Sequence, residues 1–293
     1  MIDVNTALDL TRKGMNLVRH EKYDEALSTF NSIPYGNSLW DNAQYEKAYI
    51  YELQEQYSTA LQLLEDLLND PSCSVSKSNI LTEIGNCYDD MGNYDKAAEA
   101  YSKALQVSPY NYNLHFNKGV SLLRQGNYEE ALECFKQSLF LAPGHKGSHL
   151  QYGVCCLLLG YTVPGIMALN YSILLGDDSY KTLLALQHLN TLYTQGIQAY
   201  NEANDVKISN EYKEKNLFYK EIMDEIDLYC RTSKTPKAPT KVTHPVASFN
   251  YLVLSNVKAR PNSLAIEDQL YATAFQQITA NKQYDLLALY QFM

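Results

Sequence analysis

Residues 81–109 read LTEIGNCYDDMGNYDKAAEAYSKALQVSP, and the spacing inside this stretch decides the fold. Leu81, Ile84 and Tyr88 recur at helical intervals ahead of Gly92 and Asn93, and Tyr94, Ala97 and Tyr101 resume the interval ahead of Pro109. Apolar residues three and four apart share one face of a helix, so the stretch reads as two amphipathic helices joined by a glycine turn. The pattern then recurs. Gly85, Gly119 and Gly153 stand 34 residues apart, as do Gly92, Gly126 and Gly160, and the series Ala97, Ala131 and Gly165. Tyr101, Phe135 and Leu169 keep step with them, and so do Pro109 and Pro143. A fixed period of this length is the mark of a repeat architecture.

Two weaker copies precede the clear ones. Gly14, Tyr23, Ala26 and Phe30 form the first, and Ala48, Tyr57, Ala60 and Leu64 the second. Tyr23 to Tyr57 is again 34, whereas Tyr57 to Tyr94 is 37, which places three extra residues in the loop around Asn69–Cys73. The set Leu81, Ile84, Gly85, Tyr88, Ala97, Tyr101 and Pro109 resembles the tetratricopeptide repeat family, in five copies over residues 7–178. The resemblance implies an all-α fold, helix-turn-helix repeats stacked as a right-handed α-solenoid, with additional helices toward the C-terminus.

Each signature residue has a physical reason. Gly85 and Ala97 sit where the two helices of a repeat approach closely, and a larger side chain there overpacks the contact at about 1–3 kcal/mol. Tyr94 and Tyr101, with Leu81, Ile84 and Tyr88, make the buried stripe. No single hairpin buries its apolar face alone, so neighbouring hairpins stack and leave a concave side.

In the tetratricopeptide family the first helix of each repeat lines that concave side. The resemblance therefore implies a groove built from Tyr45, Glu46, Tyr49 and Glu52 in the second repeat, and Thr82, Glu83, Asn86, Asp89 and Asp90 in the third. The fourth contributes Phe116, Asn117, Val120, Leu123 and Arg124, and the fifth Leu150, Gln151, Val154, Leu157 and Leu158. The middle of this surface is acidic with tyrosines, and its far end is apolar. Such a groove suits an extended or helical partner segment with apolar anchors and a basic end. For the fifth repeat the alternative is that the C-terminal part of the chain covers the apolar end. Asn86 and Asn117 also match the two asparagines with which some co-chaperones of this family clamp a C-terminal carboxylate. The cations of that clamp are missing, with Thr82, Gly147 and Gln151 where basic residues are expected, and a carboxylate held without cations loses its charge-assisted bonds.

Composition narrows the function classes. A net charge of −9 over 293 residues argues against nucleic acid as a partner, because phosphate binding needs clustered Lys and Arg. Six cysteines without CxxC spacing, and an N-terminus without a basic region and apolar run, fit a reducing cytoplasm. Residues 152–176 carry no charge and are long enough to cross a bilayer, but the repeat lattice accounts for their glycines and no membrane span is expected. His145 and His149, four apart, could place two metal ligands on one face, yet His149 shares its repeat position with His115 and Leu81, which favours packing. Cys156 falls on the stripe of His149 and Tyr152 and reads as a small buried hydrophobe. No phosphate loop, nucleophile elbow or zinc-protease motif is present, so neither enzymatic activity nor a cofactor or metal is expected.

Beyond the repeats, residues 179–230 read as capping helices or a degenerate repeat, with Leu183, Leu184, Leu186, Leu189 and Leu192 on one helix. Residues 231–246 form a basic linker punctuated by Pro236, Pro239 and Pro245, either a solvated tether or an arm for an acidic surface. Residues 247–293 read as a C-terminal helical segment whose apolar, uncapped end points to a piece of something longer. Three functions stay open: a scaffold or adaptor holding a partner's peptide or helix in the groove, a chaperone-like holder of secreted or aggregation-prone substrates, and a regulatory repeat domain of a larger enzyme or signalling protein. A homo-oligomer stays open as well, since solenoid ends are adhesive.

Overall fold

The structure, a computed structural model, describes residues 2–176, 180–189, 191, 192 and 271. The chain divides into two compact units, Met1–Gly126 and Asn127–Met293. The first holds α1 (Val4–Arg19), α2 (Tyr23–Asn31), α3 (Trp40–Leu53), α4 (Tyr57–Asn69), α5 (Lys77–Asp90), α6 (Tyr94–Val107) and α7 (Tyr112–Gln125). The second holds α8 (Tyr128–Leu141), α9 (Lys146–Leu158), α10 (Thr162–Leu174) and a helical run at 180–189. Within each unit every helix packs against its neighbours in the chain, as stacked hairpins require.

The turns inside the hairpins follow one backbone recipe. Gly92, Gly126 and Gly160 have φ of +73°, +83° and +81°, a left-handed conformation that glycine adopts without steric cost. In the two weaker repeats the same position is held by Glu21 and Glu55, at φ +58° and +61°. A residue with a Cβ pays about 1–2 kcal/mol there, so those turns are strained where the later ones are relaxed.

Close helix approach follows a second recipe. A Cβ added at Gly14 would stand 2.5 Å from the ring of Phe30, and one at Gly85 2.5 Å from the ring of Tyr101. At Gly153 it would meet Leu169 at 2.9 Å, and at Gly165 it would meet Leu157 at 2.6 Å. The large residue lies sixteen positions after the glycine in the first three cases, so one lattice contact recurs with Phe, Tyr or Leu as the filler.

The irregular spacing also has a place. The link between α4 and α5 spans residues 70–76, three more than the link at 108–111. Asp70 Oδ1 accepts the Ser72 amide at 2.8 Å, and Asp41 on α3 accepts the Ser74 amide at 2.7 Å, so the longer loop is pinned at both ends.

In the second unit the uncharged stretch 152–176 is broken at Gly160 into α9 and α10, each 13 residues long. No helix among the described residues is long and apolar enough to cross a membrane. Eleven residues of α10 are buried, on all sides of the helix, as expected of a helix enclosed by others. Buried Lys146 donates to the Gly176 carbonyl and to Thr182 Oγ1, both at 2.7 Å. It thereby closes the end of α10 and holds the helical run at 180–189, where Ala185 and Leu189 are buried. The linker and the expected helices beyond residue 192 lie outside the described residues, apart from Tyr271.

Candidate functional site

Seven of the expected groove residues of the first unit line one pocket between α3, α5 and α7, whereas Tyr45, Glu46, Tyr49, Thr82, Glu83, Leu123 and Arg124 lie outside its lining. The pocket of about 200 Å³ is lined by Glu52 of α3, Asn86, Asp89 and Asp90 of α5, Tyr101 of α6, and Phe116, Asn117 and Val120 of α7. Helical spacing explains the alignment: Asn86 with Asp89 and Asp90, and Phe116 with Val120, lie three or four residues apart and project from one face. Asn86 sits directly after Gly85, the point of closest approach to α6, which puts its amide against Tyr101.

A hydrogen-bonded chain fixes the centre. The Tyr101 hydroxyl donates to Asn86 Oδ1 at 2.8 Å, and Asn117 Nδ2 approaches the same oxygen at 3.5 Å. Asn86 Nδ2 in turn donates to Glu83 Oε2 at 3.1 Å. Ser121 donates to Asp89 Oδ1 at 2.6 Å, and Arg124 forms an ion pair with Asp89 Oδ2 while lying over the Tyr94 ring. Tyr45 and Tyr49 of α3 feel the charges of Glu83 and Glu52, and burial together with those charges raises both phenols above their ordinary value.

The electrostatics are lopsided. Glu52 is 7% exposed and Glu83 6%. In their ionised forms Glu52 Oε2 and Glu83 Oε1 are buried acceptors with no donor. Burial, hydrogen bonding to Glu83, and the charges of Glu83 and Asp90 hold the Glu52 carboxyl far above the usual carboxylate range. Glu52 is therefore held toward its protonated form, which can donate a hydrogen bond to Glu83 or Asp90. Glu46 is raised by burial and by Glu83, and Asp90 by burial and by Asp89, with Arg124 working the other way on Asp90. Such a surface repels a carboxylate, and Asn86 and Asn117 are tied into the chain with Tyr101 and Glu83.

Two members of this site differ from the sequence reading. Tyr101, assigned to the buried stripe by its spacing, buries its ring and turns its hydroxyl into the pocket. Glu83, expected on the lining, is buried and reaches the pocket only through its hydrogen bond from Asn86.

In the fifth repeat, in the second unit, the sequence leaves either an open groove or coverage by the C-terminal part of the chain; Leu150 is 3% exposed, and Leu157 is 2% exposed against Gly165. Val154 and Leu158 are half-buried. Tyr271, fully buried, packs its ring 5.5 Å from His149, 6.4 Å from Tyr152 and 5.4 Å from Tyr171. A residue from the C-terminal part of the chain thus sits on α9 and α10. His149 Nε2 lies 2.7 Å from the Pro143 carbonyl and Nδ1 2.8 Å from the Tyr271 hydroxyl. A carbonyl only accepts, so Nε2 carries the hydrogen and Nδ1 accepts from Tyr271. Burial lowers the imidazole to about 4 and keeps it neutral. His115, one repeat earlier, makes the corresponding contact to the Pro109 carbonyl at 2.9 Å. The shared position is therefore a latch on the preceding loop. Among the described residues no group of three or more His, Cys, Asp or Glu could hold a metal ion.

Comparison with known proteins agrees with this lattice. Residues 82–146 match the tetratricopeptide repeat family. Over 123 residues, 42% of the chain, it is 27% identical to the TPR repeat-containing protein MJ1428 of Methanocaldococcus jannaschii. Over 102 residues, 35% of the chain, it is 28% identical to the RNA polymerase-associated protein CTR9 of Caenorhabditis elegans. These matches span 21% and 9% of the two relatives' own lengths. Among solved structures, MamA of Desulfovibrio magneticus RS-1, from residue 41 to its end, superposes with a TM-score of 0.50. That match covers 60% of this chain and 97% of the other at 12% identity, a likeness of fold alone. YrrB, described as a tetratricopeptide protein with an unusual peptide-binding site, gives a TM-score of 0.47 at 19% identity over 61% of this chain and 89% of its own. With the repeated glycine-to-ring contact and the left-handed turns, residues 82–146 carry the tetratricopeptide repeat, and the described helices on either side follow the same lattice.

Proposed function

We propose that the chain is a scaffold or adaptor, without catalysis or cofactor of its own, that holds a peptide or helical segment of another protein against α3, α5 and α7. The observation that carries this reading is the pocket itself. It joins the half-buried apolar side chains Phe116 and Val120 to the amides and acids of Asn86, Asn117 and Asp89. Apolar area gives affinity, and the hydrogen-bonding capacity that each amide keeps beyond its bonds within the protein can read a partner's backbone. Tyr45 and Tyr49 extend the same face, and the net charge of −9 favours basic protein partners over nucleic acid.

The holder of aggregation-prone substrates loses support, because its apolar surface at Leu150 is buried and Tyr271 sits on the same helices. The short coverage of the two curated relatives keeps the regulatory domain of a larger protein as the second reading. A cytoplasmic location remains part of the proposal.

The test is capture of partners from a native-like lysate with the wild-type chain and with Phe116→Ala/Asn117→Ala. Both residues face the pocket and stay clear of the glycine contacts, so helicity by circular dichroism should be unchanged. A small set of proteins lost with the double variant supports the groove. Identical sets for the two proteins would remove α7 from the working surface.

A further inference from the structure

The feature left over by the scaffold reading is the acid at the pocket. Glu52 lines it at 7% exposure, Glu83 at 6% is bonded to the lining residue Asn86, and each has a buried oxygen without a donor when ionised. Burying a carboxylate without a partner is costly unless a proton or a cation satisfies it. We propose that this pocket takes one lysine or arginine side chain of the bound segment, whose cation answers the buried carboxylate oxygens of Glu52 and Glu83. The inference rests on the scaffold reading and names the chemistry of the partner at one position.

The charged groups around the pocket support a cation. From α3 come Glu46 and Glu52, with Lys47 turned to Gln44 at 3.1 Å. From α5 come Glu83, Asp89 and Asp90, from α6 the Tyr101 hydroxyl, with Lys96 over the Tyr88 ring, and from α7 Arg124, engaged with Asp89. Among the described residues the Arg124 cation therefore answers Asp89, and no ion pair reaches Glu52 or Glu83. Phe116 and Val120 offer apolar wall for the long methylene stem that Lys and Arg bury while their heads stay polar.

Size and geometry choose the occupant. A volume of about 200 Å³ falls below the roughly 300–1,000 Å³ typical of cofactor and small-molecule sites and suits a single side chain. A divalent ion needs several converging oxygens, and no such group of three exists among the described residues. A guanidinium or ammonium is satisfied by two carboxylates and an amide oxygen. Since the entering cation expels a proton, affinity should rise with pH above the ordinary carboxylate range.

The test is selection from a phage library of random peptides on the full chain, followed by fluorescence anisotropy with the selected peptide. The selected peptides should share one Lys or Arg. Replacing that residue by norleucine should weaken binding roughly tenfold or more, as should Glu52→Gln. Wild-type affinity should rise from about pH 5.5 to pH 8, and Glu52→Gln should flatten the profile. Glu52→Gln keeps shape and removes charge, so helicity should hold; if it does not, Asp90→Asn on the exposed edge serves as the second variant. Peptides that lack a basic residue, ignore both acid variants and still need Phe116 would overturn the inference and leave the groove standing. Enrichment no greater on wild type than on Phe116→Ala/Asn117→Ala would overturn both. Displacement of the peptide by calcium in wild type, absent in Glu52→Gln, would make the pocket a metal site and also overturn the inference.

Discussion

Gly85→Ala puts one methyl group where the repeat lattice is tightest. Its Cβ would stand 2.5, 2.7 and 2.9 Å from three ring atoms of Tyr101, whereas carbon atoms in contact prefer about 3.5–4.0 Å. The ring has little room to yield, since Tyr101 is 2% exposed and its hydroxyl is held by Asn86 at 2.8 Å. Alanine favours the helical state over glycine by about 1 kcal/mol. Against that stand overpacking at about 1–3 kcal/mol and a strained hydrogen bond worth about 1 kcal/mol. The clash wins by about 1–3 kcal/mol, which lowers the thermal midpoint of the first unit by about 5–10 °C. Circular dichroism at the helical band measures it. Gly144→Ala is the control, because a Cβ there meets nothing within 4 Å. Tyr101→Leu in the Gly85→Ala background should recover part of the loss, as Leu169 fills the same role beside Gly153. A midpoint unchanged or raised by Gly85→Ala would refute the assignment of Gly85 to a close approach of helices.

Glu55→Gly should raise the thermal midpoint by the equivalent of up to about 1 kcal/mol, as relief of the left-handed strain outweighs the added freedom of the unfolded chain; a lowered midpoint would mean that the turn at φ +61° is unstrained. Tyr271→Phe should cost about 1–3 kcal/mol in chemical denaturation, because it leaves His149 Nδ1 buried without its donor; a cost near zero would place Tyr271 away from His149. His149 should make the second unit acid-sensitive. Its folded value is depressed to about 4, so the neutral ring contributes stability above about pH 6.5 that is lost as pH falls toward 4, about 3 kcal/mol in all. Denaturation at a series of pH values checks it, and a profile unaltered by His149→Leu would remove the effect.

The parts of the fold legible in the sequence are those where geometry leaves one residue type a choice of place. Gly85 and Gly153 announce themselves because the opposing ring or leucine excludes a Cβ, and the three-residue jump in period falls in the loop at 70–76. Glu21 and Glu55 gave no such signal, since strain at a turn shows only in the backbone. Tyr101 misled because spacing reports where a ring goes and is silent about its hydroxyl. Tyr271 was out of reach for a different reason: its contact with His149 joins residues 122 apart, beyond any period in the chain. Leu150 stayed ambiguous for the same reason, since the repeat period cannot choose between an open groove and coverage by the C-terminal part of the chain.

The repeat supplies its own comparison for the acidic pocket. Glu83 occupies the position of Glu46 one repeat earlier and of Asn117 and Gln151 in the two that follow. Asp89 corresponds to Glu52, Leu123 and Leu157. The lattice therefore accepts an amide at the first position and leucine at the second, and leucine at Leu157 packs against Gly165 without any polar partner to satisfy. Helix stacking does not require carboxylates at these places. Where they occur together they cost stability, since Glu52 must hold a proton against its ordinary tendency. A cost confined to one stretch of an otherwise tolerant lattice, and placed at the edge of its pocket, is what a binding requirement leaves behind.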